Sequence, residues 1–375
     1  MENKERELSS FPLPPIYRSK LVAAGFITVG DIKDVRPVEL SKELSISKEA
    51  ALDILQTIEN HSSTKPGSGH SSSCSQARTA LDMLRDESLQ QYIITFSERL
   101  DDMLGGGVPL TKTTEFCGAP GIGKTQMSFQ LSVDVQIPEC FGGLGGEAVY
   151  IDTEGSFIVD RLIDVAKATV EHCQHIAAAE NSAEQVGALK TFSVESILKG
   201  IHYYRCHNYV ELIATVHLLP EFLKEHSQVK LIIVDSIAFH FRHDFDDLAL
   251  RTRLLNGMSQ SFIRLANEHT LAVVLTNQMT TRFSVDQQGQ SYLIPALGES
   301  WGHASTVRVV LYWENSQRWA KLYKSPYRKE DTIPYQVTTG GIRDVQITDP
   351  VTLPTHTHLQ DESQPCGKKR KIDTQ

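Results

Sequence analysis

The chain has 375 residues, 40% of them hydrophobic and 22% charged, enough to bury a sizeable core and longer than a single domain usually runs. Its 37 basic against 46 acidic residues leave a net charge of -9, which excludes a surface coated in positive charge, so any nucleic-acid contact must be confined to one groove or pair of loops. The few, scattered cysteines lack C-x-x-C spacing, the opening MENKERELSS is charged where a signal peptide is apolar, and no apolar run is long enough for a membrane span; an intracellular, reducing location is expected.

Residues 1–60 read as a small all-α domain. Short helical periods at 16–24, 29–32, 37–44 and 47–56 are separated by turn signals such as Gly25. The opening Ser47-Lys48-Glu49-Ala50, followed by apolar Ala51, Leu52, Ile54 and Leu55, predicts a capped amphipathic helix. A helical interaction domain with no nucleic-acid role fits this pattern as well as any other. Residues 61–80, rich in Ser, Gly and His with Pro66, read as a flexible linker.

From 81 to 350, apolar runs at 148–151, 231–234, 271–276 and 307–313 alternate with amphipathic segments, which predicts an α/β domain on a mainly parallel, twisted, doubly wound sheet. Residues 351–375 turn polar and end in Lys368, Lys369, Arg370 and Lys371, a basic run of the nuclear-signal type, although such short runs also occur in solvated tails.

Within the α/β region, Gly118, Ala119, Pro120, Gly121, Ile122, Gly123, Lys124 and Thr125 fit the phosphate-loop pattern G-x-x-x-x-G-K-[ST]. The glycines let backbone N–H groups curl around phosphates, and a following helix presents its positive end to them. Lys124 would reach the β- and γ-phosphates and the Thr125 hydroxyl would ligate Mg²⁺. ATP with Mg²⁺ is the expected cofactor.

Three strand ends complete the expected site. The run 231–234 closes on Asp235, which suits holding Mg²⁺. The run 148–152 places Glu154 at a strand's carboxyl end, where ligands of open α/β sheets bind and where a carboxylate can orient an attacking water. The run 271–276 leads to Gln278, whose amide suits a γ-phosphate sensor, or merely a strand cap.

The stretch LDDMLGGGVPLTKTTEFCGAPGIGKTQ, with YIDTEGSF, LIIVDS, VLTNQM and GHASTVRV in that order, resembles the eukaryotic RecA/RadA-type DNA recombinase family over roughly residues 96–344. PALGESWGHAST and the basic tail resemble most the C lineage of the recombinase paralogues. The small helical domain also resembles the one preceding the eukaryotic core. The resemblance implies a RecA-like P-loop ATPase fold. It implies a DNA-dependent, slow ATP hydrolase of homologous recombination that binds single-stranded and branched DNA. It further implies hetero-oligomers with other paralogue subunits that promote assembly of the main recombinase filament, no membrane, and a nuclear location with a cytoplasmic or mitochondrial pool.

Carried over by matching motif positions, Lys124, Glu154 and Gln278 take the phosphate-contacting, catalytic-base and sensor roles. Thr125 and Asp235 hold the metal, Gln126 belongs to the nucleotide cradle, and Arg161 stacks on adenine. The family's DNA loops fall near 239–253 and 279–297. The first carries Arg242, Arg251 and Arg253 but also Asp244, Asp246 and Asp247; the second carries Arg282, Phe283 and Tyr292 with Asp286. Near-neutral charge in the first loop predicts weaker DNA binding than a strand-exchange filament shows.

Two departures bear on assembly. Ala77-Arg78-Thr79-Ala80 lacks the aromatic that opens the family's subunit-joining motif, and Lys324 stands where the main recombinase has an acid over a neighbour's ATP. Three readings of function follow: an ATPase that remodels recombinase filaments, an ATP-bound scaffold with little turnover, and an autonomous strand-exchange recombinase. The first fits best, since a scaffold needs no catalytic base and the linker lacks the self-joining ring.

Overall fold

The computed structural model describes residues 8, 11, 13–32, 35–62, 79–81, 83–84, 90–243, 245, 247–283 and 291–345. The chain divides into two compact units, Met1–Asp86 and Glu87–Gln375. The residues of the linker between 63 and 78, with Ala77 and Arg78, and the basic run Lys368, Lys369, Arg370 and Lys371 lie outside the described residues.

The first unit holds helices Pro15–Ala23, Val29–Ile32, Pro37–Glu43 and Lys48–Ser62. Two open with proline at the first position, where the missing N–H costs nothing. Ser47 Oγ accepts from Ala50 N at 3.1 Å, the N-cap expected for the fourth helix. Of the apolar set expected on that helix, Ala51 and Ile54 join Leu21, Ile32, Leu40 and Ile58 in one core. Leu52 instead turns outward, because the buried stripe continues through Ile58.

The second unit is built on a nine-stranded sheet. Its strands are β3 (Thr113–Gly118), β4 (Glu147–Asp152), β5 (Ile201–Arg205), β6 (Val229–Asp235), β7 (Ala272–Asn277), β10 (Val307–Glu314), β11 (Gln317–Lys324), β12 (Thr332–Thr338) and β13 (Gly341–Asp344), after a short antiparallel pair of β1 (Tyr92–Ile93) and β2 (Val108–Pro109) joined through helix Glu98–Leu104. The order is β13-β12-β11-β10-β3-β7-β6-β4-β5. Pairs from β10 through β5 are parallel, and β10 to β13 form an antiparallel meander at the other edge. The mainly parallel α/β sheet expected from the alternation of apolar runs is present.

Continuous apolar strands follow from burial on both faces. Along β4, Ala148 and Tyr150 pack into one core with helices Lys124–Asp134 and Val159–Glu180, while Val149 and Ile151 pack into another with helices Tyr209–Glu225 and Leu248–Glu268. Strands β6 and β7 divide the same way, Ile233 and Val274 to the first core, Ile232 and Val273 to the second. The carboxyl ends of β3, β4, β6 and β7 therefore emerge side by side on one edge, where ligands of such sheets bind.

Candidate nucleotide site and its neighbouring loops

Strand β3 delivers the chain into residues 118–123, and helix Lys124–Asp134 leaves them. A Cβ on Gly118 would lie 2.7 Å from Ile122 Cγ2 and 2.9 Å from Leu311 O, so only glycine lets the chain turn here. Gly123 caps the helix at φ 119°, a left-handed conformation natural to glycine. No acid occupies the first turn, so the helix's positive end faces the loop without a carboxylate of its own. Behind the loop, Tyr335 OH and Arg318 Nε donate to Ile122 O at 2.9 and 3.0 Å, bracing it from β12 and β11.

Lys124 Nζ donates to Gly118 O at 2.8 Å and Ala119 O at 3.1 Å. Burial holds its ammonium below the usual lysine range, against the pull of Glu154 and Asp235. Asp235 is 2% exposed and accepts from Thr276 Oγ1 at 2.5 Å and Tyr150 OH at 2.7 Å. Burial raises its carboxyl pKa, while hydrogen bonds from Thr276, Tyr150 and Thr125 favour the ionised form. Thr125 and Asp235 thus meet as hydroxyl and carboxylate, a pair of hard oxygen donors suited to Mg²⁺.

Glu154 Oε1 accepts from Ser236 Oγ at 2.7 Å and Gln278 Nε2 at 2.6 Å. The loop that carries it is organised by Asp152, which the sequence reading did not single out. This fully buried carboxylate accepts from the backbone N–H groups of Glu154 (3.0 Å), Gly155 (2.7 Å), Ser156 (3.3 Å) and Phe157 (3.3 Å). Tyr203 OH (3.1 Å) and the Arg205 guanidinium (3.7 Å) reach it from β5. The only sequence signal was a second acid closing an apolar run two residues before Glu154.

Arg161 Nε donates to Gln126 Oε1 at 2.6 Å, and its other nitrogens donate to Thr338 O at 2.6 Å and to Thr339 O. All three nitrogens engage the protein, so an adenine would meet the face of the cation. Gly118 to Thr125, Gln126, Asp235, Glu154 and Gln278 are brought together at one edge of the sheet. A glycine cradle, a buried ammonium, a helix's positive end and the Thr125–Asp235 pair fit a magnesium-bound nucleoside triphosphate.

The first expected DNA loop is for the most part not a loop. Its residues form helix Phe239–His243 and the start of helix Leu248–Glu268, which carries Arg251 and Arg253. Asp247 is the reason: its Oδ1 accepts from Ala249 N at 2.8 Å and Leu250 N at 3.1 Å, capping that helix. Arg242 is exposed and donates to Gln278 Oε1 at 2.5 Å; Asp244 and Asp246 lie outside the described residues. The second loop is a hairpin of β8 (Met279–Phe283) and β9 (Ser291–Pro295), with Arg282 opposite Tyr292 and Phe283 opposite Ser291. Arg282 pairs with Glu299 at 3.2 Å. Residues 284–290, including Asp286, and the side chains of Phe283 and Tyr292 lie outside the described residues.

A second polar cluster stands beside the site. Buried Glu115 on β3 accepts from Asn277 Nδ2 (2.7 Å), Trp301 Nε1 (2.8 Å), Ser305 Oγ (3.1 Å) and Arg308 Nε (2.7 Å). Lys324 Nζ donates nearby to Ser305 O at 2.6 Å and Gly302 O at 3.1 Å, two of its three N–H groups engaged within its own chain. Burial first, and Arg308 second, hold that ammonium below its ordinary range.

A model of the Rad51 family matches residues 85–184 and 181–345. The chain is 57% identical over 345 residues to the DNA repair protein RAD51 homolog 3 of Cricetulus griseus, covering 92% of this chain and 93% of that one. It is 46% identical over 276 residues to the RAD51 homolog 3 of Dictyostelium discoideum, covering 73% and 71%. It is 32% identical over 344 residues to the DNA repair and recombination protein RadA of Aeropyrum pernix, covering 90% and 97%. With most of its length matched at these identities, and the phosphate loop at the expected sheet edge, the chain belongs to the Rad51 family.

Proposed function

We propose that the chain is a recombinase paralogue of homologous recombination: a DNA-dependent, slow ATP hydrolase that works with other paralogue subunits to promote recombinase filament assembly on single-stranded DNA. The observation that carries this reading is the connection Glu154–Gln278–Arg242, with hydrogen bonds of 2.6 and 2.5 Å. It runs from the carboxylate at the nucleotide site to an exposed arginine of the first DNA segment.

Within this reading, bound ATP with Mg²⁺ supplies a phosphoryl group whose charge the cation partly neutralises. Lys124 and the backbone N–H groups of the loop, Pro120 apart, would hold the phosphates, and Thr125 with Asp235 would hold the cation. Ser236 and Gln278 orient the Glu154 carboxylate, which takes a proton from water. Arg242, Arg251, Arg253 and Arg282 face the phosphates of single-stranded or branched DNA, with Phe283 and Tyr292 stacking on bases. The names of the relatives, which include DNA repair proteins, support a place in recombination. The basic run at 368–371 supports a nuclear location.

The test is fluorescence anisotropy of single-stranded DNA with the full chain across a salt series, with and without ATP. The proposal expects nucleotide-dependent binding with a shallow salt slope that Arg242→Ala weakens. DNA affinity indifferent to ATP and to Arg242→Ala would overturn it.

A further inference from the structure

Away from the phosphate loop, at the amino ends of β4 and β5, three metal-ligating side chains from three different elements converge. Glu147 opens β4, His202 is the second residue of β5, and His226 caps the carboxyl end of helix Tyr209–Glu225. The parallel register pairs Val149 with His202, so Glu147, two residues earlier, shares the face of the sheet that His202 presents. Val229 pairs with Glu147 and donates its N–H to His226 O at 3.2 Å, which returns the helix end to the same corner. One ligand atom from each of the three side chains lies within 4.8 Å of the others, and Glu147 Oε2 stands 2.8 Å from His202 Nε2.

We infer that Glu147, His202 and His226 form a binding site for a first-row divalent transition metal, Zn²⁺ in the first place. Two imidazoles with one carboxylate are a donor set of catalytic and partly open zinc sites, whereas Mg²⁺ prefers oxygen donors throughout. Around a tetrahedral zinc with bonds of about 2.0–2.2 Å, ligand atoms lie roughly 3.3 Å apart. Glu147 Oε2 and His202 Nε2, at 2.8 Å, are inside that spacing, and the ligand atom of His226 lies within 4.8 Å of both.

A simple ion pair would account for Glu147 and His202 but not for a second imidazole at the same point. Both rings rest on one apolar shelf: His226 stacks on Phe222 at 4.2 Å and 21°, and His202 meets the same ring edge-on at 5.1 Å and 75°. The two imidazoles themselves are 4.7 Å apart between centroids. Such packing limits the rotamers that binding would otherwise have to freeze. His202 is 22% and Glu147 33% exposed, so an ion can enter and a water can fill the fourth position. Bound there, the metal fastens the helix end to the edge strand of the sheet, and its binding free energy adds to the stability of that corner.

The test is a cobalt titration of the purified full chain, stripped of metal, read by the visible absorption of tetrahedral cobalt. Displacement by Zn²⁺ and the Zn²⁺-dependent melting temperature follow. The proposal expects one equivalent bound, displaced by Zn²⁺, with a rise in melting temperature. It expects affinity weakened roughly 100-fold or more in His226→Ala and in Glu147→Gln, since losing a direct ligand costs at least as much as losing the partner that orients it. Nucleotide binding, read by a fluorescent ATP analogue, should be unchanged in both, which shows that they fold. Glu147→Gln keeps the volume and serves where the alanine variant does not fold. Absence of stoichiometric uptake, or cobalt affinity and spectrum unaltered in both variants, as cysteine or tail ligation would give, overturns the proposal.

Discussion

Gln278 Nε2 donates to Glu154 Oε1 at 2.6 Å, joining the residue that follows β7 to the carboxylate that follows β4. The same amide accepts from Arg242, and the next residue opens the β8–β9 hairpin, so Gln278 bridges Glu154 to both candidate DNA segments. Gln278→Ala should leave ATP affinity near that of the unaltered chain and reduce the stimulation of turnover by DNA at least fivefold, the low end of ordinary site–site coupling. Parallel measurements of nucleotide binding and of turnover at saturating DNA check this. Full stimulation in the variant would remove the amide from the coupling.

Asp152 accepts from four consecutive backbone N–H groups of the turn that carries Glu154, so in the proposed mechanism it is a positioning residue. Asp152→Ala should lower kcat roughly 100-fold by displacing Glu154 by about 1 Å, with little change in nucleotide affinity. Asp152→Asn keeps one acceptor oxygen and should restore part of the rate. Steady-state kinetics that show a changed KM at constant kcat would contradict the assignment.

The buried Glu115–Arg308 pair joins β3 to β10 at 2.7 Å. Arg308→Met leaves the carboxylate without its cation and should cost about 3–5 kcal/mol in chemical denaturation. The double variant Glu115→Gln with Arg308→Met should recover much of that loss, because no isolated charge remains buried. Equal destabilisation by the single and double variants would show that volume rather than charge is at stake.

Burial raises the Asp101 carboxyl to about 6, against hydrogen bonds from the Thr95 backbone N–H at 3.1 and 3.2 Å. A folded pKa above the unfolded one means that the native state holds the extra proton between roughly pH 4 and 6. That stabilisation is complete below the unfolded pKa and is lost as pH rises through about 6. Asp101→Asn should therefore gain about 1–2 kcal/mol relative to the unaltered chain near pH 7.5, a gap that narrows towards pH 4.5. Urea midpoints of the two proteins across that range check the sign.

The parallel strands were legible because each is buried on both faces and reads as an unbroken apolar run, as in Leu231 to Val234. The edge strand β5 and the interior strand β11 were not. β5 reads Ile-His-Tyr-Tyr-Arg and is partly exposed throughout, and β11 mixes polar with apolar residues without a strict period, so neither stands out from its surroundings. The phosphate loop was legible because its chemistry fixes residue types at contiguous positions. Asp152 was not, since its role lies in backbone N–H groups that come to it only once the turn has formed. The three-way meeting of Glu147, His202 and His226 depends on residues far apart in sequence. Asp247 looked like a charge opposing DNA and proves to be a helix cap.

The most direct test of the central claim is ATP turnover by the purified full chain, alone and with its co-purifying partners, with and without single-stranded DNA. It compares the unaltered protein with Glu154→Gln. The account predicts DNA-stimulated turnover that the substitution lowers about 100-fold or more while ATP remains bound. Bound ATP with turnover indifferent both to DNA and to Glu154→Gln would contradict it, and would leave the nucleotide as a structural element of an assembly.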